Sequence, residues 1–162
     1  MIFLFILNLI ASAESVEHKA HVHGSAKVGI AFEGAMGKLT FEAPGLGLFG
    51  FEHVAKKSKD LQKQKEMLKV LQNKIGDMFV FSKNINCTFG KEKININQED
   101  GHSDVDASFD INCEKDPMGT TLTVNVQKIF PAIEDVDVQV LVGDVQKTAK
   151  AKKNGTKIEL KK

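Results

Sequence analysis

The chain has 162 residues, with 22 basic side chains against 21 acidic ones and a formal net charge of +1. Every basic residue is Lys, and Trp and Tyr are absent. Without Arg there is no forked donor to read bases or grip phosphates through paired bonds, which argues against nucleic-acid binding. The missing Trp and Tyr argue equally against sites that stack sugars or bases.

In chain order, residues 1–13 read MIFLFILNLIASA, an apolar run closing on Ala11-Ser12-Ala13. The run is too short to span a bilayer, and its small-x-small ending matches a secretory cleavage site, although no Lys or Arg precedes it. We read residues 1–13 as a removed signal peptide and residues 14–162 as a single domain with a core of its own. No later segment is apolar enough to be transmembrane, so stable membrane insertion is not expected.

Residues 20–33 alternate: Val22, Ala26, Val28, Ile30 and Phe32 share one face, while His21, His23, Ser25, Lys27 and Glu33 share the other. That pattern predicts a half-buried antiparallel strand. Residues 34–37 are turn-like and residues 38–43 resume the alternation, which predicts a hairpin. Residues 44–53, PGLGLFGFEH, interleave three glycines with Leu46, Leu48, Phe49 and Phe51, and read as a loop pressed on apolar neighbours.

Over residues 58–75, Leu61, Leu68, Leu71 and Ile75 fall at helical spacing, with Ser58 as an expected N-cap and Gly76 as an expected stop. The lysines between them read as a solvated face over a core. From Phe79 onward the chain is strand-like over 79–82, 87–97, 105–113, 121–129, 136–142 and 157–160, and the Lys-rich 147–153 reads as a loop or ragged strand end. The most regular segment sets Val105, Ala107, Phe109, Ile111 and Cys113 against Asp104, Asp106, Ser108, Asp110 and Asn112. The fold class expected is α+β: a β-rich domain of antiparallel strands with one packed helix. Periodicity leaves open whether the strands form a sandwich or a single sheet covered by the helix.

Two cysteines, Cys87 and Cys113, follow the signal, and an even count in a secreted chain predicts one disulfide. A zinc pair built from the two thiols is the weaker reading, since neither lies in a Cys-x-x-Cys knuckle.

Three of the 5 histidines crowd at His18, His21 and His23. Two residues along a strand return to the same face about 6.6 Å on, so His21 and His23 are able to lean two nitrogens onto one Zn²⁺. His-x-His alone is more often a pair of solvated side chains. His53 ends the glycine-rich segment after Glu52, where the bland reading is a turn residue. His102 sits among Glu99, Asp100, Asp104 and Asp106, where the bland reading is a solvated acidic turn. The acidic spacing does not reproduce the twelve-residue calcium loop, and mixed imidazole and carboxylate donors suit zinc better.

The segments AHVHGSAKVGIAFEG, LTFEAPGLGLFGFEH and HSDVDASFDINC, followed by IFPAIEDVDVQVLVGDVQ, resemble in order the landmarks of the ZrgA family of zinc-associated periplasmic proteins. The resemblance implies a non-catalytic periplasmic protein that binds Zn²⁺ and assists a zinc ABC transporter component in zinc uptake. It carries over His21, His23, His53 and His102 as candidate ligands, with Asp104 beside the last. Where similar sequences hold a long histidine-rich loop, this chain has only residues 95–103 with one His, and Asp106 and Asp110 stand where histidines are expected. That departure implies at most one zinc site, and it keeps in play a metal-poor structural or interaction module on the same scaffold. An enzyme is the third class. It is disfavoured because there is no Gly-x-Ser-x-Gly elbow, phosphate loop or His-Glu-x-x-His helix, and no placed general base.

Overall fold

The computed structural model describes residues 24–99 and 101–162. The expected signal segment, His18, His21, His23 and Asp100 lie outside the described residues. In chain order the elements are β1 (Ser25–Glu33), β2 (Met36–Pro44), α1 (Gly45–Phe49), α2 (Ser58–Met78), β3 (Phe79–Phe81), β4 (Thr88–Glu99), β5 (His102–Asn112), β6 (Thr121–Val124), α3 (Val126–Ile129), β7 (Asp135–Val142), β8 (Val145–Ala151) and β9 (Thr156–Glu159). A single 3₁₀ turn, Lys83–Ile85, links β3 to β4.

Two sheets form. One has six strands in the order β4-β5-β2-β1-β7-β8, and the other three in the order β3-β6-β9. The alternation that predicted the strands also decides which face is buried. Ala26, Val28, Ile30 and Phe32 of β1 join Leu39 and Phe41 of β2, Val105, Ala107, Phe109 and Ile111 of β5 and Val136, Val138, Val140 and Val142 of β7 on the core side. Opposite them lie Leu71, Ile75 and Met78 of α2 and the apolar side chains of the small sheet, among them Phe79, Phe81, Leu122 and Val124. The edge-on ring contacts Phe32–Phe81, at 5.4 Å, and Phe41–Phe79, at 6.4 Å, show the two sheets meeting. The layer over the six-stranded sheet is therefore a helix and a second sheet side by side, which combines the two architectures that periodicity left open.

Several expectations are corrected. The sheet is not wholly antiparallel: β1 and β7 pair in parallel from Ser25↔Asp135 to Phe32↔Val142. Helix α2 runs through Gly76 to Met78, because Met78 is fully buried and extending the helix seats it in the core. Gly76 lies within the helix, where an added Cβ would make ordinary contact with the Phe89 ring at 3.4 Å. The N-cap is Lys57, one residue before Ser58. The glycine-rich segment contains the short helix α1, ended by Gly50 at φ 84°. Its buried glycines serve packing, since a Cβ on Gly47 would sit 2.9 Å from Ile133. The strand expected over 121–129 stops at Val124, where Asn125 turns the chain into α3 and its Oδ1 accepts from Gly155 N at 2.8 Å.

The Lys-rich residues 147–153, expected as a loop or ragged strand end, lie largely in strand β8 at the edge of the sheet, which is joined to β7 by a two-residue turn with Gly143 at φ 56°. Lysines at such an edge discourage pairing with other chains, and they also disguise the strand in the sequence.

Strand β1 is also tied down on its outer face. Ser25 Oγ donates to Asp135 Oδ1 at 2.7 Å, and Lys150 Nζ donates to the same carboxylate at 3.2 Å. The Ser25 hydroxyl is the main reason that the Asp135 carboxyl lies below its ordinary value, with Lys150 helping and burial opposing. A pKa depressed by folding adds stability above the ordinary carboxylate value, near 3.9, and loses it as pH falls through the depressed value. Ser25→Ala should therefore be less stable than the parent at pH 7 and closer to it at pH 2.5. Urea unfolding at both pH values checks this, and an equal deficit at both would refute it.

Candidate metal centre

The ends of the six-stranded sheet differ in chemistry. Strands β1, β5 and β7 run in the same direction, because β2 is antiparallel to both β1 and β5 and β7 is parallel to β1. Their first residues, Ser25, His102 and Asp135, therefore lie at one end. Strand β2 finishes there, with Pro44 opposite Asp104, and the chain then continues into α1 and the segment carrying Glu52 and His53.

His102 and Asp104 fall on the outer, solvent face of β5. Between them Ser103 turns inward and is 1% exposed. The imidazole of His102 is exposed, yet its Nδ1 lies 2.8 Å from Oε2 of Glu52, whose side chain is only 17% exposed. This contact joins the segment after α1 to the start of β5 across 50 residues of sequence. His53 is held differently. Its Nε2 lies 3.1 Å from Oδ2 of Asp60 in the first turn of α2, and its ring stacks on Phe51 with centroids 4.7 Å apart. Each exposed imidazole is thus tied to a carboxylate that is mostly covered.

Along β5 the next acidic residue, Asp106, accepts from Asn97 Nδ2 of β4 and faces Glu42 of β2, which pairs with Lys27 of β1 at 3.2 Å. Asp106, Glu42 and Lys27, with Gly29, line a concavity of about 370 Å³ on the outer face. His102 and Asp104 are not among its lining residues.

Among the described residues no three His, Cys, Asp or Glu side chains stand together so as to hold a metal ion. His21 and His23 lie outside the described residues, so the structure brings together only part of the expected set: His102 with Asp104 on one strand face, and His53 on a separate carboxylate partner. The residue that sequence reasoning passed over is Glu52. Its signal was present, a carboxylate next to His53 in Gly-Phe-Glu-His, but its partner is His102 and not its chain neighbour. Cys87 and Cys113 form a disulfide with an S–S distance of 2.00 Å, so neither thiol is available to a metal.

Comparison with protein families matches residues 20–160 to the ZrgA family, described as zinc uptake proteins. The chain belongs to the ZrgA family. A comparison with curated proteins finds no match. ZrgA membership associates the chain with zinc uptake and agrees with the order of motifs read from the sequence. The match begins at residue 20 and so takes in His21 and His23, as well as His53 and His102. No described helix of this ZrgA protein is long and apolar enough to cross a membrane.

Proposed function

We propose that this ZrgA protein is a non-catalytic, periplasmic zinc-binding protein that holds Zn²⁺ for a component of a zinc ABC transporter. Zinc is its cargo, taken at one site by His21, His23 and His102 with Asp104 as the carboxylate donor; His53 is the alternative imidazole. The observation that carries this reading is directional. The chain enters β1 at the end of the sheet where His102 and Asp104 stand on the outer face. Continuing the β1–β2 register places Ser25 level with Pro44, whose partner on the far side is Asp104. Two strand spacings, roughly 10 Å, separate those two strands. His21 and His23 immediately precede this point in the sequence, and a tetrahedral zinc site needs more donors than one strand supplies.

The order of donors explains why two imidazoles on one strand are not enough. Neutral imidazole and a carboxylate together suit Zn²⁺, whereas Ca²⁺ asks for six or more oxygens. Calorimetric titration should find at most one tightly held Zn²⁺ per chain, with little response to Ca²⁺. His21→Ala, His23→Ala and His102→Ala should each weaken it at least tenfold while the circular dichroism spectrum is unchanged. Binding should also fall below about pH 6, because imidazole must be neutral to ligate and its ordinary pKa is about 6.5. Two or more tight sites would contradict the stoichiometry. Unchanged affinity in all three variants would refute the ligand set, and protein that holds no zinc after dialysis against the metal would leave the scaffold as a metal-poor interaction module.

A further inference from the structure

We infer that Glu52 is a positioning residue for zinc, acting through His102: its carboxylate fixes the imidazole so that Nε2 is the nitrogen offered to the metal. The inference rests on the proposed role of His102 as a ligand and adds a residue that neither the motif order nor the family match assigns.

An imidazole that binds a metal through one nitrogen commonly donates its other N–H to a carboxylate, which sets both tautomer and ring orientation. Glu52 meets that requirement geometrically, with Oε2 2.8 Å from Nδ1 of His102. It also meets the requirement of rigidity. The His102 side chain is 58% exposed, whereas that of Glu52 is 17% exposed, so the covered carboxylate anchors the exposed ring. The segment bearing Glu52 is itself fixed to β5, since Gly45 at the start of α1 packs directly on Ser103, the residue after His102.

The pairing of His53 with Asp60 provides an internal comparison. There the contact engages Nε2, the ring is stacked on Phe51, and the carboxylate belongs to α2 and not to the strand end. Two exposed imidazoles with carboxylate partners thus differ in which nitrogen is engaged. Only His102 has a second candidate ligand, Asp104, two residues along on the same strand face.

The test uses the purified protein with Glu52→Gln, which keeps the size of the side chain and removes its charge. Zinc affinity, measured by competition with a chromophoric chelator, should fall at least tenfold. In zinc-free protein, long-range ¹H–¹⁵N NMR should show the neutral His102 ring mainly as the Nδ1–H tautomer in the parent, and as a mixture in the variant. Asp60→Asn should change zinc affinity by less than twofold. Unchanged affinity or an unchanged tautomer in Glu52→Gln overturns the inference. So does an equal loss from Asp60→Asn, which would point to general negative charge and not to this contact. His102→Ala separates the two claims. If it leaves zinc binding intact, the ligand assignment has failed; if it weakens binding while Glu52→Gln does not, only the positioning role has failed.

Discussion

Reducing and alkylating the Cys87–Cys113 bond should lower the free energy of unfolding by about 3.5 kcal/mol. The figure follows from the chain-entropy account, in which a cross-link restricts the unfolded ensemble in proportion to the logarithm of the loop it closes. Here the two cysteines are 26 residues apart in sequence. At roughly 2–4 °C per kcal/mol for a chain of this size, the melting temperature should drop by about 7–14 °C. The bond lies where it stabilises one particular unit. Cys87 immediately precedes β4 and Cys113 immediately follows β5, with Thr88 opposite Asn112, so it closes the open base of the hairpin whose tip leads into His102. The edge position of β4 makes that staple important, because this strand is paired on one side only. Zinc affinity should suffer less than stability, since the staple and His102 lie at opposite ends of the hairpin. A melting temperature that does not move on reduction and alkylation would refute the estimate.

How much of this was legible in the sequence depended on range. The alternation along residues 103–113 correctly sets Asp104 and Asp106 outward and Val105, Ala107, Phe109 and Ile111 inward, because side-chain direction in a strand has a period of two and needs only local information. The same logic placed Ser25 and Lys27 on the outer face of β1. What failed was information held between distant segments. Nothing local to residues 25–32 or 135–142 states that they pair in parallel, since both carry the same alternation and register is chosen by the whole sheet. Strand β8 is obscured by its own edge protection: Lys147 and Lys150 make it resemble a loop or a ragged strand end. At the candidate site, residue type and motif order single out His53 and His102 as candidates. The Glu52–His102 contact was out of reach, because it spans 50 residues of sequence and leaves no periodic trace. The glycine spacing of residues 44–53 predicts a loop pressed on apolar neighbours, but nothing local marks how tight the contact is at Gly45 and Gly47.

That packing predicts the second large effect. Gly45→Ala should destabilise the protein by about 1–3 kcal/mol, the usual cost of forcing extra volume into a packed site. A Cβ on Gly45 would lie 2.1 Å from Ser103 Oγ, 2.9 Å from the Phe51 carbonyl oxygen and 3.0 Å from the Ser103 carbonyl oxygen. The first clash is with a side chain, but the other two are with main-chain atoms, so no rotamer change relieves them. Space must come from moving α1 and the segment after it away from β5, and that segment holds Glu52 against His102. Stability and zinc affinity should therefore fall together in Gly45→Ala. Ser103 allows the two kinds of clash to be separated. Its hydroxyl is buried and has no hydrogen-bond partner among the described residues, so Ser103→Ala removes an unsatisfied group and should be neutral or stabilising. Combined with Gly45→Ala it should restore part of the loss, leaving the share due to the two carbonyl oxygens. Gly90→Ala is the matched control, since its Cβ would meet nothing nearer than the Asn112 side chain at 3.9 Å. Thermal melts of the four variants decide the matter: if Gly45→Ala unfolds at the same temperature as Gly90→Ala, the seat of α1 on Ser103 does not constrain this end of the sheet, and the rigidity argued for Glu52 loses its support.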